Sequence, residues 1–449
     1  MVRKETAMRL PAQHQGLEVK IPSFFRCPIS LDVMRSPVSL CTGVTYDRAS
    51  IQRWLDSGNT TCPATMLPLR STDLVPNLTL RSLIAHWAAS AASCSPTAGG
   101  SDTSSARTSS PASLVRQVAS AGVDPSPALR ELAAYLSDDD VDDFEKNALL
   151  SAGRAAETVS SVLRRRPEET GVEGVEAATR VLAKILASDG VDDANKKRVA
   201  TGLAADAAAT AASLARVMRR GSGGLEARVD AARLVELLLA TNAADEAAKA
   251  AVAESSELLA ELVRLVGTVD EKGALDRNAV DAGLSCLAAI CGCGSGSRRA
   301  WARGEMVRLG AVPAAVRALR AATTEPGASA KALRVLESVV GCAEGRAALC
   351  GDAEDAIPAV VGRMMKSGRD GAEAAMAVLW AVCHRYRDRR AADAAAAAEG
   401  GLTRLLLLMQ SGCSPAARQM ALELLKIYRV NAKSCLAGYD SKTTHIMPF

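Results

Sequence analysis

Cys27, Cys41, Cys62 and His86 are the Cys and His residues of the segment 21–88, the types there that could do chemistry. Thiolates and imidazoles bind zinc, and a thiolate next to a histidine can act as a nucleophile. The spacing supports neither. A domain built on two zinc ions needs eight Cys or His ligands, with thiolates usually paired as C-x-x-C, and this segment contains no such pair. No His lies near Cys27 or Cys62 in sequence to form a thiolate, so both are expected to be small buried residues. No metal and no organic cofactor is expected. Polar and apolar contacts must then hold the loops, with Asp47, Arg48, Ser30, Thr60 and Thr65 as the candidate polar partners.

The elements that must position these residues are short. Residues 39–44 and their neighbours predict a hairpin around Thr42-Gly43, because glycine tolerates the positive φ of a tight turn. Asp47 is placed to cap a helix from about Arg48 to Asp56, with Ile51, Trp54 and Leu55 on one face. Ser57-Gly58-Asn59 stops that helix. Pro63 and Pro68 hold the next loop extended. A last helix, Leu78 to Ala89, offers Leu80, Leu83, Ile84 and Trp87 for packing. A domain of about 70 residues buries little and should be only marginally stable.

Read in order, the segment carries Cys27-Pro28-Ile29-Ser30-Leu31, Met34, Pro37-Val38, Thr42-Gly43, Thr45-Tyr46-Asp47-Arg48, Ile51, Trp54-Leu55, Thr61-Cys62-Pro63, Thr65, Pro76-Asn77 and Leu83-Ile84. This pattern resembles that of plant-type U-box ubiquitin ligases, the metal-free relatives of the zinc RING. The resemblance implies a small α+β, zinc-free domain that recruits a ubiquitin-charged conjugating enzyme. Carried onto matching positions, the conjugating-enzyme contacts are Ile29 in the first loop, Trp54 on the helix and Pro63 in the second loop. Cys27, Pro28, Pro37, Tyr46, Asp47, Arg48 and Cys62 become the structural residues. A small apolar triad on two loops and a helix is the kind of anchor that dominates binding energy. Trp54 and Ile29 also admit a plainer reading as core residues. Two positions depart from the pattern. Ser36 stands where many members have an acidic residue. Met66 stands where several U-boxes and RINGs place an Arg or other donor that clamps ubiquitin, and a thioether cannot donate a hydrogen bond.

The remaining chain carries no comparable chemistry. Of 449 residues, 48% are apolar but only 3% aromatic, so the core must be mostly aliphatic. Residues 1–20 read as a leader without the apolar run of a secretory signal. Residues 21–88 are the U-box segment, and 89–110 are a Ser/Ala/Gly-rich linker. Residues 111–432 are Ala-rich and helical, with Pro125, Pro127 and Asp124 marking an early helix start. Residues 433–449 form a polar tail. Segments beginning at Gly310, Asp355 and Gly400 align, with Val312, Ile357 and Leu402 spaced 45 apart, and Leu258 lies 54 before Val312. Preceding helices centre on Leu287, Leu336 and Leu379. A period of ~40–47 residues with two or three helices per unit is the armadillo or HEAT signature, and such units bury their apolar faces only by stacking. The fold class is therefore mostly α, a small α+β domain followed by a helical superhelix.

A formal net charge of +4, from 54 basic and 50 acidic residues, argues against a nucleic-acid partner. The runs Arg164-Arg165-Arg166 and Arg385, Arg387, Arg389, Arg390 read as solvated helix faces. Asp138–Asp140 with Asp142-Asp143 reads as a helix start, and Cys291/Cys293 as a lone C-x-C. No apolar run reaches the ~20 residues of a membrane span. The scattered cysteines are expected to be reduced thiols of a cytoplasmic protein, with nuclear entry open. Together these readings predict a ubiquitin ligase that acts without a covalent intermediate of its own and holds a target protein on its repeats. The resemblance adds plant origin and a stress or defence role. The rival is a non-catalytic adaptor whose U-box only docks or forms a homodimer.

Overall fold

A computed structural model of the chain describes residues 21–87 and 111–436, apart from 78, 82, 85, 86, 121–123, 139, 140, 153 and 322. The leader, the whole linker and the end of the tail lie outside the described residues. The chain divides into two compact units between Arg107 and Thr108.

In the first unit, strand β1 (Pro37–Ser39) pairs antiparallel with β2 (Thr45–Asp47) and with β3 (Val75–Pro76), giving the order β2-β1-β3. The expected hairpin forms: Leu40 N donates to Val44 O, and Gly43 takes φ +79° at its tip. β2 runs directly into helix α1 (Arg48–Asp56). Ile51 is fully buried, with Trp54 and Leu55 packed against the same core. The helix stops at Ser57 and Gly58 (φ +82°), and Asn59 Nδ2 donates to the Trp54 carbonyl.

Asp47 occupies the N-cap position, but its carboxylate does not cap α1. It accepts from the amides of Arg35 and Ser36, at 2.8 and 2.9 Å, across the strand pair. Asn77 does cap: its Oδ1 accepts from Leu80 N at the start of the last helical stretch. Of the residues offered for packing there, Ile84 is buried and Leu80 and Trp87 pack on the core, whereas Leu83 is half exposed.

In the second unit, three helix series stack in parallel. One series comprises Ser126–Leu136, Pro167–Ala187, Gly224–Ala240, Arg277–Gly292, Pro326–Val339, Gly368–Leu379 and Pro415–Leu436, each touching the next. A second comprises Ala207–Arg220, Ser256–Val266, Ala311–Arg320, Ala353–Arg363 and Gly401–Gln410. Shorter helices such as Gly296–Arg308 and Ala343–Gly351 complete the units. Leu258, Val312, Ile357, Leu287, Leu336 and Leu379 are all buried in one continuous aliphatic core.

Leu402 is the exception. It is 49% exposed, and Leu405 and Leu408 carry the buried face of its helix. Among the described residues no further helix of this series packs beyond Gly401–Gln410, and Leu402 is left uncovered. Part of the insertion after Leu258 is visible as the longer connection 267–276, closed by the bridge Val269↔Leu275, where the next unit uses 321–325. Asp124 accepts from the Ser126 amide and hydroxyl at the predicted helix start. The last helix continues to Leu436, past residue 432. No helix among the described residues is long and apolar enough to cross a membrane.

Candidate functional site

Two six-residue loops of the first unit, Cys27–Asp32 and Cys62–Leu67, have the same internal geometry. In each, the cysteine amide donates to the carbonyl of the sixth residue and the amide of the fifth donates back to the cysteine carbonyl, all four bonds being 2.8 Å. The fifth residue is left-handed in both: Leu31 at φ 61° and Met66 at φ 57°. Each loop is closed by one isolated bridge, Arg26↔Val33 and Thr61↔Pro68. A left-handed leucine or methionine is strained, so tertiary contacts must impose the shape.

Those contacts converge on two adjacent residues at the end of β2. Asp47 N donates to Cys27 Sγ at 3.3 Å. Tyr46, fully buried, accepts from Ala64 N and donates to Cys62 Sγ, both at 3.0 Å. Thr42 Oγ1 donates to the same sulfur at 3.3 Å. The cysteines thus sit where a metal would gather loops, and side-chain and main-chain donors gather them instead. Burial opposes ionisation of Cys62, but hydrogen bonds from Thr42, Thr65 and Tyr46 outweigh it and bring the thiol down to about 6. Cys27 follows the same logic, burial opposed by hydrogen bonds from Ser30, Asp47 and Ile29 that leave its pKa below the ordinary thiol value. Burial, with Cys62 beside it, raises the Tyr46 phenol. Both cysteines are fully buried. Among the described residues, no three His, Cys, Asp or Glu side chains come together as a metal cluster.

Of the candidate polar partners, Asp47, Ser30 and Thr65 bond into the loops. Arg48 and Thr60 contribute only main-chain groups, Arg48 N to Ser36 O and Thr60 O from Leu69 N. Pro37 is buried at the start of β1, and Pro28 stands exposed in the first loop.

Ile29 is 37% exposed, which removes the reading of it as a buried plug. Pro63 is half-buried in the second loop. Trp54 combines both readings: its ring packs against the core, and its indole N–H donates to Thr61 O at 2.8 Å, fastening the second loop to α1. Sequence reasoning missed Leu31 and Leu67, 65% and 57% exposed at the fifth and sixth loop positions, next to the equally exposed Met66. The shared C-P-x-[ST]-[LM] spacing of the two loops was the available signal.

Fold and site define a RING-like domain whose paired loops are held by hydrogen bonds, joined in one chain to a three-helix armadillo-type stack. Family comparison agrees: the U-box domain profile matches residues 21–93 and that of the plant U-box protein ARM repeat region matches 114–446. U-box domain-containing protein 28 of Arabidopsis thaliana is 34% identical over 446 residues, 96% of this chain and 98% of the relative. U-box domain-containing protein 29 of the same plant is 33% identical, with the same coverage of each chain. The Arabidopsis E3 ubiquitin-protein ligase PUB23 is 28% identical over 92% of this chain and 93% of its own length. The chain belongs to the plant U-box proteins with armadillo repeats.

Proposed function

We propose that the protein is a ubiquitin ligase. Its U-box binds a ubiquitin-charged conjugating enzyme, and its repeats hold a protein target. The observation that carries this reading is the exposed Ile29 and half-buried Pro63 on two loops of imposed, matching shape, with the half-buried Trp54 on α1. Pre-shaped loops limit the ordering cost of docking. The name of the relative PUB23 supports the same reaction. In that reaction a target lysine amine attacks the thioester carbonyl, the C–N bond forms, and the C–S bond breaks as the conjugating enzyme's thiolate leaves. The ligase supplies proximity and orientation. Cys27 and Cys62 are enclosed and the exposed Cys41 donates its thiol to Ser71 O, so this reading places no covalent intermediate on the domain.

Ile29→Ala tests the docking face. Ile29 is surface-placed, so the variant should keep the wild-type fold and lose roughly tenfold in affinity for the conjugating enzyme, about 1–2 kcal/mol. Self-ubiquitination should fall with it. Wild-type protein that transfers no ubiquitin with any of a panel of conjugating enzymes would instead favour the adaptor.

Met66 is the observation that favours that second reading. Its thioether is 68% exposed and cannot donate. Met66→Arg has room at this position and should speed discharge of the charged conjugating enzyme onto free lysine by several-fold, as one charge-assisted hydrogen bond would. A rate unchanged from wild type would show that this position does not clamp ubiquitin here.

A further inference from the structure

One basic residue type is missing from the U-box. Residues 21–145, which hold the U-box, the linker and the first helices of the stack, contain nine arginines and no lysine, whereas residues 146–449 contain eleven lysines. Lys146, the first of those, is buried, and the next to stand exposed is Lys197. Packing does not account for the bias. Arg26, Arg35, Arg48, Arg53 and Arg70 are all exposed. Arg26 and Arg53 each donate to one carbonyl, Leu31 O at 3.2 Å and Ala49 O at 3.1 Å, which an ammonium also can do. Among the described residues, the side chains of Arg35, Arg48 and Arg70 make no hydrogen bond or ion pair. Nothing at these three positions uses the planar fork that sets arginine apart from lysine.

The two residues carry the same charge but differ in reactivity. A lysine amine can shed a proton and attack a thioester. The C–N bond forms, the C–S bond breaks, and the second proton lost from nitrogen passes to the departing thiolate or to water. A guanidinium stays protonated and does not attack. An amine on the U-box itself would also be tethered beside the docked thioester, at an effective concentration in the millimolar range. It would compete there with any target that must first bind.

We infer that the U-box and linker are kept free of acceptor amines, so that ubiquitin on the docked conjugating enzyme bypasses the ligase's own domain, and that self-modification of this chain falls on Lys4 and Lys20. Those two amines are covalently the nearest to the docking domain. At most 17 residues join them to Ile21, about 60 Å of chain even fully extended. The lysines of the repeats lie beyond the whole lysine-free stretch. This rests on the proposed ligase reading.

The test maps ubiquitin remnants by mass spectrometry on the full chain after self-ubiquitination. It compares wild type with Arg70→Lys, with Arg35→Lys and with the double variant Lys4→Arg/Lys20→Arg. Discharge of the charged conjugating enzyme onto free lysine is measured on the same preparations and should be equal in all four, which also reports an intact U-box. Wild type should carry its remnants at positions 4 and 20, and the double variant should lose about tenfold in self-modification, as expected when a tethered acceptor is removed. Arg70→Lys and Arg35→Lys should each gain a remnant at the substituted position and self-modify several-fold faster. Normal discharge with no remnant at position 70 or 35 would overturn the inference, because an amine there would be out of reach and its absence would protect nothing. Remnants confined to the repeats and untouched by the double variant would overturn the assignment of Lys4 and Lys20. Absent discharge in wild type would instead sink the ligase reading, and this inference with it.

Discussion

Trp54→Ala should abolish detectable self-ubiquitination while leaving the repeat body folded. Two effects add in this one residue. Removing an aromatic anchor from a docking face costs about 2 kcal/mol, some 30-fold in affinity. Removing the indole also cuts the 2.8 Å bond to Thr61 O, which ties the second loop to α1, worth about 1 kcal/mol. Trp54→Phe separates the two, because it keeps a ring on the helix and loses only the N–H. Phe should therefore retain partial activity, with its deficit repaired by higher conjugating-enzyme concentration. Circular dichroism and binding to the immobilised conjugating enzyme read fold and docking independently. Alanine and phenylalanine variants as active as wild type, both folded, would remove Trp54 from the docking face.

Asp47→Ala should strongly destabilise the U-box. Its carboxylate accepts two main-chain hydrogen bonds, from Arg35 and Ser36, while its own amide donates to Cys27 Sγ. Hydrogen bonds to a charged acceptor contribute about 1.5–3 kcal/mol each, so their joint loss costs roughly 3 kcal/mol or more. For a domain of 60–100 residues, each kcal/mol moves Tm by about 4–8 °C. A fall of ~12 °C or more is expected in the transition of residues 21–87, with hydrogen exchange accelerated across both loops. Exchange in the helices from Ser126 onward should be unchanged. Asp47→Asn keeps one acceptor oxygen and should fall between. A shift under 3 °C for the alanine variant would show that the two amides find water equally well.

Those two residues also mark how far the sequence could be read. The helix Arg48–Asp56 was legible from its apolar face and its stop signal, and Asp47 from its position before the first turn. That the carboxylate turns away from its helix was not, because the amides it meets belong to residues brought near only by the β1–β2 pairing. Leu258, Val312 and Ile357 were legible as buried because periodicity reports a face that neighbours will cover. Leu402 shares the period but has no covering helix among the described residues, and period alone does not report whether a face is covered. The anchor triad was found through motif resemblance, and the exposure of Ile29 came only with the loop geometry.

Charge pairs join successive helices of the stack, Arg130 with Glu173, Arg180 with Glu226, Arg233 and Lys331 with Asp281, and Arg334 with Asp370, and they have a mechanical consequence. Most of these side chains are 30–80% exposed, and exposed ion pairs contribute only about 0–1 kcal/mol each. Such a seam holds register without welding it. Each rung is weak enough to break and re-form in thermal motion, and small adjustments at successive rungs would add along the seven helices. The stack should then behave as a soft spring, its pitch lengthening as salt screens the rungs. A body of that kind can adjust its curvature to the length of what it grips.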